Sequence, residues 1–251
     1  MTRFNFISDV DNYESHFVNF IDGLLVFMYS EIHKTNQHHD MIDIGACKGK
    51  ITKILLNHID PESGKVIAID AHPNWLNTFE YVNDPLVENY NVGCYSSPAI
   101  KKFVAEDRLT GRGFIGAPPD KNALNLKKLK TFQVECNKLD NLIDSNRKIS
   151  FIKIDAESSD FEIILGAKNI IENHRPFIVF EFSGQIMEKS HLHTREDFFD
   201  FFKSIKYNLY SVGLGRSEEY LSNLWDVYTA GFKDILAVPG EYAHLIDKEL
   251  I

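Results

Sequence analysis

The chain has few cysteines and no long apolar run. Its 251 residues include three cysteines, Cys47, Cys94 and Cys136, which are too few and too far apart for a disulfide framework or a zinc knuckle. The first residues lack the basic-then-apolar pattern of a secretory signal. The apolar stretch 17–29 is interrupted by polar residues and is shorter than the roughly 20 residues that span a membrane. We therefore expect a cytoplasmic protein in a reducing compartment, with no membrane span.

Basic residues are also scarce relative to acidic ones. Lys and Arg total 27 against 36 Asp and Glu, which gives a formal net charge of −9. Binding to a phosphate backbone depends on clustered Lys and Arg, so we expect no nucleic acid partner. The length suits a helical extension over residues 1–35 followed by one domain over residues 36–251.

Strand and helix signals alternate along the chain, which predicts a parallel sheet with helices on both faces. The last two strands follow each other without a helix, so we expect an antiparallel hairpin on the sheet edge. Loops are expected at 108–120 and 183–193. The predicted elements are a helix at about 12–34, strand 40–44, helix 49–58, strand 65–70, helix 74–82, strand 87–92, a short strand at 132–134, strand 151–154, helix 161–171, strand 176–182, helix 194–205, and strands 207–212 and 234–238.

The most informative stretch is residues 41–50, Met-Ile-Asp-Ile-Gly-Ala-Cys-Lys-Gly-Lys, followed by a β-branched run that ends at Asp70. This order is strand, glycine turn, helix, strand and acidic residue. An acid about 20 residues after such a turn can accept hydrogen bonds from both ribose hydroxyls of a nucleoside laid across the strand ends. The pattern predicts a nucleoside-cofactor site, and the alternative is a plain strand–turn–helix unit.

The turn sequence favours one kind of nucleoside over another. The dinucleotide fingerprint needs a middle glycine for close approach of a pyrophosphate, and the turn Gly45–Gly49 lacks it. Asp43 would repel a phosphate but suits a ligand with an ammonium group, which distinguishes S-adenosylmethionine from NAD. The turn sequence therefore disfavours a nucleotide-sugar or NAD oxidoreductase.

A second group of polar residues follows a later strand. Lys153, Asp155 and Glu157 alternate at the strand end and start on one face. Such groups are expensive to bury unless they pair with one another, with a ligand or with a cation. The alternative is an ion pair followed by a helix N-cap within Ser-Ser-Asp at 158–160.

Together these motifs resemble the FkbM family of S-adenosylmethionine-dependent methyltransferases. The chain departs from the family pattern at Ser158, where glycine is usual, and at Asp160, where glutamate is usual. The shared elements follow in order from about residue 40 to residue 182: Asp-x-Gly-Ala-x-x-Gly at 43–49, Asp70 with Pro73, Asn91-Val-Gly93, Leu139-Asp140, Ile-Lys-Ile-Asp-x-Glu at 152–157 with Leu-Gly-Ala at 165–167, and Arg175-Pro with Glu181.

The resemblance implies an α/β, Rossmann-like class I methyltransferase fold: a seven-stranded, mostly parallel sheet with a C-terminal antiparallel hairpin. It implies O-methylation of a hydroxyl on a sugar, a glycan or a small natural product. The residues it assigns to S-adenosylmethionine are Asp43, Gly45, Ala46, Lys48, Gly49, Asp70, Ala71, Val92 and Gly93. Those it assigns to catalysis are Lys153, Asp155, Glu157, Glu181 and the loop residue His191, with His193 as a further candidate base.

Three questions stay open at this point. The serines at 158 and 159 are also compatible with an alternative function, a non-catalytic module that binds S-adenosylmethionine. The three acids of the catalytic set suit a divalent metal or simple pairing with the lysine. A homodimer is possible through the aromatic stripe Phe17, Phe20 and Phe27, which alternatively packs on the core of the same chain.

Overall fold

The computed structural model describes residues 13–32, 39–106, 113–116, 129–157, 159–182, 193–212 and 233–250. These residues form two β-sheets with helices packed around the larger one. The strands are β1 Asp40–Ile44, β2 Val66–Ile69, β3 Val87–Tyr90, β4 Gly93–Cys94, β5 Ala99–Glu106, β6 Gly113–Ile115, β7 Leu129–Asn137, β8 Ile149–Ile154, β9 Phe177–Phe182, β10 Tyr207–Val212 and β11 Lys233–Pro239.

The larger sheet has seven strands in the order β10-β11-β9-β8-β1-β2-β3. Strands β1, β2, β3, β8 and β9 are parallel, and β11 runs antiparallel to both β9 and β10. This confirms the predicted Rossmann-like, mostly parallel sheet. It also confirms the expected antiparallel pair on the sheet edge, in which β10 is the edge strand and β11 lies between β10 and β9. Since the parallel strands point the same way, their carboxyl ends meet along one edge, where ligands bind in folds of this class.

The smaller sheet, in the order β4-β7-β5-β6, comes from the segment between β3 and β8. The sequence predicts one short strand at 132–134 there, and β7 is longer and pairs with β5 along its whole length. Strand β6 lies within the predicted loop 108–120, of which residues 108–112 and 117–120 are outside the described part of the chain. This sheet has its own small apolar cluster, built on Phe103, Ala105, Val134 and Cys136.

Most predicted helices are present, and one prediction is wrong. Where the sequence predicts a helix over 74–82, the chain makes a single 3₁₀ turn, Trp75–Asn77. The Thr78 hydroxyl donates to the Trp75 carbonyl at 3.1 Å, which caps the turn and competes with a longer helix. The helices are α1 Tyr13–Phe27, continued by a π-helical turn Met28–Ile32, then α2 Lys50–His58, α3 Leu139–Leu142, α4 Asp160–Gly166, α5 Lys168–His174, α6 Arg195–Ser204 and α7 Ala243–Leu250.

The predicted helix 161–171 is divided in two at Ala167. The second half, α5, begins against Asp140, whose carboxylate accepts the backbone N–H groups of Asn169 and Ile170, each at 3.0 Å. A carboxylate there satisfies N–H groups that have no partner inside the helix. The Leu-Asp pair at 139–140 therefore organises the helix layer and lies away from the cavity described below.

Helix α1 packs on the core of the larger sheet. Ile21, Leu24 and Leu25 are almost fully buried in one cluster with Met41 of β1 and Phe151 of β8. Burial of such side chains contributes about 1.5–3 kcal/mol each, relative to exposure. Among the described helices, none is both long enough and apolar enough to cross a membrane.

Candidate functional site

A cavity of about 650 Å³ opens at the carboxyl ends of β1, β2 and β8. Its walls are the turn 45–49 after β1, the turn 70–72 after β2, the end of β8 at 153–157, and side chains of the smaller sheet. A concave site of this size, with a few polar groups on largely apolar walls, suits a small-molecule ligand.

The glycine turn is shaped by close backbone packing. Gly45 has φ +76°, and a Cβ built on it would lie 1.9 Å from the carbonyl oxygen of Asp155. Gly49 has φ +94°, and a Cβ there would come within 2.6 Å of the Tyr81 ring. The turn therefore fits between the end of β8 and the segment after β2, and only glycine leaves this space.

Asp70 ends β2 and faces the cavity. Its Oδ2 accepts the backbone N–H of Cys47 at 2.9 Å, and its Oδ1 accepts that of His72 at 2.8 Å. Burial raises the pKa of Asp70, and the two backbone donors oppose that rise. Because each carboxylate oxygen can accept more than one hydrogen bond, both retain capacity for the hydroxyls of a ligand.

Asp43 lies beneath the cavity and not on its wall. Its side chain is fully buried, its Oδ2 accepts the Thr52 hydroxyl at 2.7 Å, and its Oδ1 lies 3.8 Å from Lys153 Nζ. This corrects the expectation that Asp43 meets the ammonium group of a ligand. Side-chain alternation places Asp43 on a face of β1, and the lysine of the neighbouring strand β8 occupies the space above it.

Lys153 links this buried aspartate to the cavity. Its Nζ lies 3.2 Å from Asp155 Oδ2, and the Asp155 side chain is 48% exposed, whereas that of Lys153 is 5% exposed. Burial alone would lower the pKa of Lys153, but Asp155 and Asp43 outweigh this effect and raise the pKa. The lysine is therefore charged, and it fixes one oxygen of Asp155 at the cavity wall.

A second group of acids lies where β8 and β9 end and β11 begins. Burial raises the pKa of Glu181 to about 8, helped by Asp155, Asp160, Glu157 and Asp234. Burial, followed by the Asp155 carboxylate, raises the pKa of Asp160 to about 7. We call Asp160 and Glu181 the proton-holding pair, since both titrate near neutral pH.

The structure brings most of the predicted cofactor residues to the cavity wall. Gly93 is not among them, because it packs in β4, where a Cβ would lie 2.6 Å from Cys136 Sγ. The cavity is lined by Gly45, Ala46, Lys48, Gly49, Asp70, Ala71 and Val92.

The predicted catalytic residues are divided between several locations. Lys153, Asp155 and Glu157 line the cavity, and Glu181 is not among the described residues that line it. His191 and Ser158 lie outside the described residues. His193 does not reach this cavity: its Nε2 lies 2.6 Å from Glu162 Oε1, and its ring packs edge-on against Phe161.

Among the described residues, the arrangement of side chains gives no support for a metal site. Within the ranges that the structure describes, no three His, Cys, Asp or Glu side chains are arranged to hold a metal ion. The acids of the catalytic set instead share a lysine or lie among other acids.

Several cavity residues have no signal in the sequence. His72 follows Asp70 by two positions and lines the cavity, as do Cys94, Phe103 and Ile115. The last three come from β4, β5 and β6, so their presence depends on a sheet that the apolar pattern does not predict. Among these residues, only His72 has a position, two residues after Asp70, that could have drawn attention to it.

Comparison with known proteins identifies a family for the chain. The family model of the methyltransferase FkbM domain matches residues 43–212. No curated protein sequence matches the chain. The crystal structure of a methyltransferase FkbM from Methylobacillus flagellatus KT is 15% identical, covering 85% of this chain and 47% of that chain, with a TM-score of 0.46. This chain thus spans about half the length of that protein.

Two other solved structures are similar over most of their length. A putative O-methyltransferase from Klebsiella pneumoniae is 11% identical, covering 92% of this chain and 83% of that chain, with a TM-score of 0.50. A precorrin-6y C5,15-methyltransferase from Geobacter metallireducens GS-15 is 13% identical, covering 93% of each chain, with a TM-score of 0.41. At such identities the likeness to the Klebsiella protein supports the fold and no particular substrate.

Proposed function

Because the chain belongs to the FkbM methyltransferase family, we propose that it transfers a methyl group from S-adenosylmethionine to a hydroxyl of a sugar, a glycan or a small natural product. The observation that carries the cofactor assignment is Asp70, held by two backbone N–H groups at the end of β2 with its carboxylate facing the cavity. A carboxylate in this position suits the two ribose hydroxyls of a nucleoside.

The walls around Asp70 fit the rest of such a cofactor. Gly45 and Gly49 let the turn pack closely against Asp155 and Tyr81, which brings its backbone to the cavity wall. Val92, Cys94, Phe103 and Ile115 supply an apolar wall on one side of the cavity. The cofactor, when bound, supplies a methyl group activated by a positively charged sulfur.

The acidic end of the cavity suits the acceptor. Methyl transfer needs the acceptor oxygen aligned with the methyl group, and the hydroxyl must lose its proton. Lys153 holds one oxygen of Asp155 at 3.2 Å and leaves the half-exposed carboxylate directed at the cavity, where Glu157 also lies. We assign orientation of the hydroxyl and acceptance of its proton to these two carboxylates.

Calorimetric titration with S-adenosylmethionine, S-adenosylhomocysteine and NAD tests the cofactor assignment. We expect the two adenosyl ligands to bind and NAD not to bind. Asp70→Asn should weaken both adenosyl ligands by about 10- to 100-fold, since a hydrogen bond to a charged group contributes about 1.5–3 kcal/mol. The matched control is Asp200→Asn, which alters an exposed acid on α6 and should leave binding unchanged. Binding of NAD alone, or of none of the three, would exclude this function.

Methyl transfer to a panel of sugars and polyols tests the reaction itself. We expect turnover on at least one hydroxyl acceptor and a loss of turnover in Asp155→Asn with little change in affinity for S-adenosylhomocysteine. Tight binding of the adenosyl ligands without turnover on any acceptor would favour the non-catalytic binding module instead.

A further inference from the structure

We propose that the smaller sheet forms the nucleobase side of the cofactor pocket and that His72 is the positioning residue that holds this sheet against Asp70. This inference rests on the proposed function, because it assumes that Asp70 binds the ribose. It assigns a purpose to two features that the resemblance does not cover, a buried histidine after β2 and the sheet between β3 and β8.

His72 is joined to both sides by hydrogen bonds of defined direction. Its backbone N–H donates to Asp70 Oδ1 at 2.8 Å. Its Nδ1 accepts the backbone N–H of Asn74 at 3.1 Å, so the ring proton lies on Nε2. That nitrogen lies 2.9 Å from the carbonyl oxygen of Glu106, the last residue of β5, and donates to it. The side chain thus connects the turn after β2 to the smaller sheet.

The ring of His72 also packs into the smaller sheet. It meets Phe103 of β5 edge-on at 6.1 Å and lies tilted against Phe132 of β7 at 5.9 Å. The residue is 3% exposed. Ring pairs at these distances stabilise packing beyond simple burial. Two strands of the smaller sheet therefore rest on one residue of the Asp70 turn.

The same turn is anchored on its other side by β3. The Asn91 side-chain amide donates to the carbonyl oxygen of Asp70 at 2.8 Å and to that of His72 at 2.9 Å. Asn91 fixes the turn to the larger sheet, and the His72 bond to Glu106 joins the same turn to the end of β5. Movement of β5 would therefore change the cavity without moving Asp70.

The wall that β5 and β6 present is apolar and closely packed. Phe103 and Ile115 line the cavity beside Ala71, and Gly113 lies under the Phe103 ring, where a Cβ would come within 2.2 Å of the ring. A flat apolar surface beside a ribose-binding acid suits the face of a purine.

Two substitutions of His72 separate its two ring bonds. His72→Asn keeps an acceptor near the Asn74 N–H and cannot reach Glu106. His72→Gln places an amide donor within reach of the Glu106 carbonyl and gives up the acceptor for Asn74. We expect His72→Asn to weaken S-adenosylhomocysteine and adenosine by the same factor, about tenfold, and His72→Gln to stay within about threefold of the wild type.

Amide hydrogen exchange gives a readout that does not depend on the ligand. In the ligand-free protein, peptides covering β5 and β7 should exchange faster in His72→Asn than in His72→Gln, whereas peptides covering β1 and β8 should not change. A general loss of stability would accelerate exchange in both sheets.

A variant of the wall itself tests the pocket without altering His72. Ile115→Ser should weaken S-adenosylhomocysteine and adenosine by about five- to tenfold through lost apolar contact. The matched control in the same sheet is Ile100→Ser, since Ile100 is 71% exposed and lies away from the cavity. It should bind both ligands as the wild type does.

The outcomes distinguish this inference from the proposed function. If the wild type binds S-adenosylhomocysteine and His72→Gln weakens it as much as His72→Asn does, the link to Glu106 is not what positions the sheet. Wild-type affinity in Ile115→Ser would show that the smaller sheet does not meet the nucleobase. If the wild type binds no adenosyl ligand, the proposed function fails, and unchanged exchange of β5 in His72→Asn would still overturn the positioning assignment.

Discussion

Two groups of acids lie at the same edge of the larger sheet and differ in the charged groups that surround them. Asp43 and Asp155 share a cation, since Lys153 Nζ lies 3.8 Å and 3.2 Å from their oxygens. Around Glu181, the charged groups that act most strongly are all carboxylates, and Asp160 is affected mainly by burial and by Asp155. Similar side chains at this edge of the sheet thus differ in whether a cation lies beside them.

The difference suggests two roles for the acids at one sheet edge: one group stabilises the fold, and the other exchanges protons. In the first group Lys153 is charged and the buried Asp43 accepts the Thr52 hydroxyl inside the fold, so this group fixes the positions of β1 and β8. The proton-holding pair, Asp160 and Glu181, exchanges protons in the range where enzymes use acids and bases. Breaking each group should therefore have different consequences, the first for stability and the second for pH dependence.

Removal of the shared cation should have the largest effect. Lys153→Met leaves the carboxylate of Asp43 buried without its cation, which costs about 3–5 kcal/mol in comparable sites. We expect the free energy of unfolding in urea to fall by this amount. The apparent loss should shrink at acid pH, where Asp43 can take up a proton.

The double variant Lys153→Met with Asp43→Asn is the control for that experiment. It removes both charges and leaves the amide within reach of the Thr52 hydroxyl, so much of the lost stability should return. Equal losses in the single and double variants would mean that Lys153 stabilises through packing alone, and the comparison of the two groups would fail.

The second-largest loss of stability should come from a forced shift of Asp155, the acid that interacts with members of both groups. Gly45→Ala places a methyl group 1.9 Å from the Asp155 carbonyl oxygen at a residue with φ +76°. Backbone strain and the forced shift should together cost about 2–4 kcal/mol. Gly116→Ala is the matched control, because Gly116 has φ +97° and no atom within 4 Å of an added Cβ. It should lose about 1–2 kcal/mol, from strain alone. Equal losses in urea denaturation would rule out a role for the close approach.

The larger sheet could be predicted because its information is local. β1, β2, β8 and β9 are apolar runs bounded by turn residues, and the glycine turn with Asp70 has a spacing that few other structures need. The smaller sheet could not be predicted in the same way. The first half of β5 is exposed or half-buried and mixes the apolar Ile100 with Lys101 and Lys102, so it has no alternating pattern. Its pairing with β7 joins residues far apart in sequence.

The same limit applies to the site. The spacing of Lys153, Asp155 and Glu157 predicts that they share a strand end, and the structure places all three at the cavity. The spacing does not show that Lys153 also covers Asp43, because that contact joins two strands that are neighbours in the sheet but far apart in the sequence. Likewise, the raised pKa of Glu181 depends on burial among acids from three other segments. The link that His72 makes to the smaller sheet depends on a carbonyl group of β5.

The smallest expected effect is the pH dependence caused by Glu181. Its pKa is about 8 in the folded chain, against an ordinary value of 4.5. A carboxyl group with a raised pKa stabilises the fold fully below its unfolded pKa, and this contribution is lost as the pH rises through the folded value. Wild-type stability should therefore fall as the pH rises from about 5 to about 9, and Asp160 contributes with the same sign.

Glu181→Gln should remove about 1–2 kcal/mol of that fall, a value reduced for the partial exposure of the side chain. Urea denaturation across the same pH range measures it, with Glu172→Gln on the exposed face of α5 as the control. A pH profile identical to that of the wild type would mean that Glu181 is already charged at neutral pH. In that case a cation must balance it, and the contrast with the lysine-paired group would disappear.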